Sequence, residues 1–102
     1  MTRDEFAAAC DSLYEAWSVL RAEGGVFSLM GGGARLEAQV HWPVLAELLA
    51  ETPVQLTSRY DREYPWKAAV IVGKVRVCAL LTTAQQKAAE RDGLAVAGEV
   101  IA

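Results

Sequence analysis

Residues 66 to 81, WKAAVIVGKVRVCALL, read as two strands joined at Gly73 and Lys74. Glycine at the first central position suits a type II′ turn, whose backbone twist matches that of the strands it joins. Trp66, Ala68, Val70 and Val72 alternate along the first strand, and Val75, Val77, Ala79 and Leu81 along the second. Folded at the turn, the two sets form one continuous apolar face. The opposite face begins with Lys67 and Arg76 but turns apolar at Ala69, Ile71, Cys78 and Leu80, the pattern of inner strands covered in part on both sides.

Towards the N-terminus, VQLTSRY (54–60) continues the period of two and predicts another strand. Before it, HWPVLAELLAE (41–51) changes to a helical period. Pro43 suits its first turn, Val44, Leu45, Leu48 and Leu49 form its apolar stripe, and Thr52 and Pro53 end it. VFSLM (26–30) and ARLEAQV (34–40) flank three consecutive glycines, Gly31 to Gly33, which read as a hairpin turn. A phosphate cradle would need a following helix, and here a strand pattern follows. Residues 3 to 23 predict a long helix with Phe6, Cys10, Leu13, Trp17 and Leu20 along one face. Thr2 and Glu5 can form a capping box at its start, and Gly24 and Gly25 end it.

Beyond the hairpin, Thr82 and Thr83 can cap a short helix over 84–91 that Gly93 stops. The apolar stretch LAVAGEVIA (94–102) is open to three readings: a short strand, a docked tail or a contact with another chain. The expected fold is α+β, one domain over residues 1–102. It has an antiparallel sheet of about five strands with helices packed on it, in the order αββαβββα plus a C-terminal tail.

Composition narrows the class. The chain has 102 residues, of which 53% are hydrophobic and 23% charged, a balance that folds and that fits one core. No apolar run approaches a membrane span and no export signal opens the chain, so a cytoplasmic protein is expected. Cys10 and Cys78 both fall on apolar faces and read as reduced packing residues. With one histidine and no paired-cysteine spacing, neither a metal nor a cofactor is expected. The net charge of −3 divides into −5 over residues 1–58 and +2 over 59–102, too acidic a chain to favour nucleic acid.

The functional reading centres on SRYDREYPWKAAV (58–70). Arg59, Tyr60, Arg62, Tyr64, Trp66 and Lys67 are residue types favoured at protein interfaces, since aromatic rings bury large areas with few rotors and arginine adds planar hydrogen bonding. They are the expected partner-binding residues. Tyr60 and Trp66 also fall on the inward faces of their strands, where core packing accounts for them equally well. The same set could stack single-stranded bases. Asp61 and Glu63 could pair as acids, but their neighbours Arg59 and Arg62 predict local ion pairs instead. His41 is a possible general base with no evident partner, and Cys78, inside an apolar strand, is a poor nucleophile. No catalytic residue is therefore assigned.

RYDREYPWKAAVIVGKVRVCALLTT (59–83) resembles the C-terminal part of small, mostly uncharacterised bacterial and prophage proteins. In those, a Tyr-Pro-aromatic step leads to a hairpin and an Ala-Leu-Leu-Thr/Ser junction before a helix. The matching residues are Tyr64, Pro65 and Trp66, then Ala79, Leu80, Leu81 and Thr82; Val77 and Cys78 replace the usual aromatic pair. The resemblance implies a small accessory domain and no activity. The leading expectation is a non-enzymatic protein-interaction domain, a phage or prophage accessory or inhibitor, binding another protein through 59–67. The alternatives are a single-stranded nucleic-acid binder and a small hydrolase using His41 with Asp61 or Glu63. The three tryptophans and the apolar tail also raise a homodimer, formed by pairing of edge strands.

Overall fold

The computed structural model describes residues 1–32, 35–49 and 52–97. The described elements run α1 (Arg3–Ala22), β1 (Val26–Gly32), β2 (Arg35–Val40), α2 (Trp42–Leu48), β3 (Val54–Ser58), β4 (Trp66–Val72), β5 (Val75–Leu81), α3 (Thr83–Arg91) and β6 (Ala95–Ala97). The strands form one six-stranded sheet in the order β1-β2-β5-β4-β3-β6.

The β4–β5 hairpin forms as its alternation predicts. Trp66 pairs with Leu81, Ala68 with Ala79, Val70 with Val77 and Val72 with Val75. Gly73 takes φ +61° at the turn, while no non-glycine residue described has positive φ, which is the type II′ arrangement. β1 and β2 pair antiparallel up to Gly32 and Arg35, so the first hairpin also forms, its tip at Gly33 and Ala34 lying outside the described residues. A bulge between Val26 and Ser28 inserts Phe27 into β1. Phe27 is half exposed, and the strand resumes its register with Leu29 opposite Ala38.

The sheet is mixed, not antiparallel, and has six strands. β2 runs parallel to β5, and β3 runs parallel to β6, the extra strand that the tail supplies at Ala95–Ala97; the rest of the tail, 98–102, lies outside the described residues. Alternation determines which face a side chain joins but leaves strand direction open. Direction follows from the helices. α2 carries the chain from β2 to β3 and α3 carries it from β5 to β6, each a crossover between strands of like direction. Both crossovers step the same way across the sheet, so a shared handedness puts both helices on one face.

That face holds the core. Leu45 of α2 and Ala89 of α3 are buried with Ala68, Ala79 and Leu81 of the hairpin, Leu56 of β3 and Val40 of β2. Trp42, at the first turn of α2, is buried as well. Thr82 caps α3 through a capping box with Gln85, which uses two N–H groups the helix itself leaves unpaired. On the reverse face Ile71, Met30 and Val96 stand exposed, Ala69 and Leu80 are half-buried, and Cys78 is buried beneath the side chains of Glu37 and Lys67, so the inner strands of the hairpin are covered in part on this side too, as their pattern predicts.

α1 departs most from expectation. Its capping box forms between Thr2 and Glu5, and Gly25 leaves the helix with φ +70°. Yet it has no buried residue; Phe6, Leu13 and Tyr14 are exposed, Cys10 is an exposed free thiol, and Trp17 alone of its side chains packs in part against the core. Cys10 is therefore no packing residue. The helix lies along the edge of the sheet at β1, and the molecule extends to 51 × 30 × 25 Å.

Candidate protein-interaction surface

The loop from Arg59 to Pro65 joins β3 to β4 at the end of the sheet where β2 and β5 also finish. Asp61 organises it. Its Oδ1 accepts from the backbone N–H of Glu63 at 2.9 Å and of Tyr64 at 2.8 Å, the short side-chain turn that aspartate makes with residues two and three ahead. The Tyr64 N–H, with the Glu63 N–H and the Arg59 charge behind it, holds the Asp61 carboxyl below its usual range. Arg59 closes the neck: its backbone N–H donates to the Pro65 carbonyl at 2.8 Å and its guanidinium to the Tyr64 carbonyl at 3.2 Å. The expected ion pairs of Asp61 and Glu63 with Arg59 and Arg62 are not among those described, because backbone donors already occupy the Asp61 oxygen and Arg59 reaches a carbonyl.

The six expected contact residues divide by position. Tyr60 stands fully out of the fold, so the inward reading of this residue is overturned: β3 ends at Ser58, two residues before it. Arg59, Arg62 and Tyr64 are exposed on the same loop. Trp66 is half-buried against the core, opposite Leu81, and the packing reading describes its inner side. Lys67 points to the reverse face, where its Nζ donates to Glu37 Oε1 at 3.1 Å.

That last contact belongs to a group which spacing alone does not reveal. Glu37 Oε1 also accepts from the Cys78 thiol at 3.0 Å, tying β2, β5 and β4 together on one face. The two hydrogen bonds, from Cys78 and then Lys67, hold the Glu37 carboxyl below its usual range. Burial, reinforced by the Glu37 charge, pushes the Cys78 thiol up to about 11, which suppresses thiolate formation near neutral pH. The alternation of β2, β4 and β5 places all three residues on one face; their register, which brings them within reach, depends on the parallel β2–β5 pairing.

His41 shares the loop's end of the sheet but sits after β2, with β5 between it and β4, a separation of roughly 10 Å by strand spacing. Its ring lies against Phe27, centroids 4.7 Å apart, and no hydrogen bond joins it to Asp61 or Glu63 among the described residues. No described helix is long and apolar enough to cross a membrane. No family model, curated protein or solved structure matches the chain.

Proposed function

We propose that the protein is a non-catalytic interaction domain that binds another protein through the Arg59–Pro65 loop. The observation that carries this reading is Tyr60, wholly exposed on a loop whose backbone is held by Asp61 and Arg59. An aromatic side chain presented on an ordered backbone binds with little further loss of freedom, so more of its contact area converts to affinity. Arg62 and Tyr64 extend the surface on the same loop, while Trp66 and Lys67 support it from β4. The resemblance of residues 59–83 to small prophage proteins supports an accessory or inhibitory role in such an element. The test is capture of partners from host lysate by the tagged chain and by a Tyr60→Ala/Arg62→Ala variant, followed by mass spectrometry. Both substitutions are at exposed positions, so the variant is expected to fold and to lose the captured protein; equal capture by both would remove the loop from this role.

The same exposed Tyr60 and Arg62 keep a single-stranded nucleic-acid reading open. Phosphate contacts make such binding fall steeply with salt. Titration of a labelled oligonucleotide at low salt distinguishes it, with no binding expected for a chain of net charge −3.

A further inference from the structure

We propose that α1 is the interface of a two-fold homodimer, in which the helices of two copies pack antiparallel about Leu13. This surface lies at the β1 edge, away from the β3–β4 loop, and the inference does not depend on what the loop binds. It begins with area. A compact monomer of this mass exposes about 5,600 Å², whereas this chain exposes 7589 Å². The radius of gyration is 15.9 Å, against about 13 Å for a compact domain of this length. The surplus, roughly 2,000 Å² counted over all 102 residues, reflects an extended chain rather than any one surface.

Part of that surplus is an ordered apolar stripe. Phe6 is 62% exposed, Leu13 52% and Leu20 38%, on a helix whose apolar residues repeat at steps of four and three. Beside it, Leu13, Trp17, Phe27 and Leu29 line an open apolar groove of about 520 Å³ between α1 and β1. A helix of 20 residues is about 30 Å long, and Phe6 in its first turn does not line this groove.

The stripe is close to a palindrome, and this selects a second copy as the occupant. Phe6 and Leu20 each lie seven residues from Leu13, with Cys10 three before it and Trp17 four after. A two-fold contact puts residue i against residue j and j against i. Reversed on itself about Leu13, the stripe sets Phe6 against the partner's Leu20, Leu13 against the partner's Leu13, and the small Cys10 against the partner's large Trp17. Each Phe6 then meets the other copy's Leu20 beside a second apolar cavity of about 220 Å³, which Leu20 lines with Val26, Ala38, Val40 and Val77. A parallel arrangement would instead oppose two tryptophans and two cysteines, and would align the two helix dipoles unfavourably.

Light scattering of the full chain during gel filtration should give twice the mass of 11.0 kDa, and Leu13→Asp should give a single-chain mass with an unchanged circular dichroism spectrum. A wild-type monomer, or a Leu13→Asp variant that remains dimeric, would overturn the proposal, the latter in favour of edge-strand pairing. Orientation is tested by mild oxidation. Cys10→Ser/Leu13→Cys should form a disulfide-linked dimer efficiently. Wild-type Cys10 should not, because its partner would lie about 9 Å away along the axis, beyond disulfide reach. The reverse result would overturn the antiparallel arrangement, and this readout stands even if the aspartate variant fails to fold.

Discussion

Cys78 donates its thiol hydrogen to the same Glu37 oxygen that accepts from Lys67, so a buried sulfur, a carboxylate and an ammonium on three neighbouring strands share one acceptor atom. Burial and the adjacent negative charge both disfavour the thiolate, moving the thiol up to about 11. Cys10, exposed on α1, has no such cover in the folded chain. Iodoacetamide at mildly alkaline pH should therefore label Cys10 long before Cys78 in the freshly reduced Leu13→Asp variant, in which no second copy covers Cys10. Peptide mass spectrometry over time reads the two rates, and equal labelling would place Cys78 outside the sheet face described.

The same group makes stability depend on pH at both ends. Glu37 titrates lower in the folded chain than unfolded, so its contribution is complete above the ordinary carboxylate range and lost as pH falls through the depressed value. Cys78 titrates higher in the folded chain. Between its ordinary 9.0 and about 11 the unfolded chain releases the proton first, and stability declines as pH rises. Urea midpoints against pH should show a shallower acid limb in Glu37→Gln, the share of Asp61 remaining, at a cost of about 1 kcal/mol at neutral pH, and should lose the alkaline limb in Cys78→Ala.

Asp61 offers a test of loop order separate from any partner. Asp61→Ala removes the acceptor for the Glu63 and Tyr64 N–H groups, whose hydrogen exchange should accelerate while global stability changes by less than about 1 kcal/mol. Asp61→Asn retains an acceptor oxygen and should fall between the two. If loop order matters to binding, partner capture will follow the same ranking.

Two local substitutions probe the hairpin and the last helix. Gly73→Ala forces an alanine into φ +61° with no contact to gain, and should destabilise the chain by about 1–2 kcal/mol in thermal or urea unfolding. Thr82→Ala removes the hydroxyl that accepts from Gln85, at about 1 kcal/mol. A neutral result at either position would mean that the turn or the cap is not formed as described.

Most of the local structure was legible because short-range chemistry specifies it. The alternation of Val75, Val77 and Ala79 marks a face, and the Thr2–Glu5 and Thr82–Gln85 boxes mark helix starts. What alternation does not specify is the neighbour. α2 and α3 each stand between two strands, which is the sign of a parallel crossover, and giving that sign weight would have predicted the mixed sheet. The amphipathic pattern of α1 identified an apolar stripe, but periodicity cannot say whether a stripe is covered by its own chain. At the candidate surface, composition pointed to the loop, while the exposure of Tyr60 depended on where β3 ends, a boundary that the pattern placed two residues late. The Glu37–Lys67–Cys78 group needs the β2–β5 pairing and has no trace in spacing.

The parallel pairings also bear on how the chain reaches this state. Leu36 meets Val75 and Val54 meets Ala95 across about 40 residues of intervening chain, whereas the β4–β5 hairpin closes through two residues. Closing the longer loops sacrifices chain entropy before any pairing is gained. The hairpin is thus the natural nucleus, with β2 and β6 joining late, and substitutions at Leu36 or Ala95 should speed unfolding while leaving the refolding rate nearly untouched.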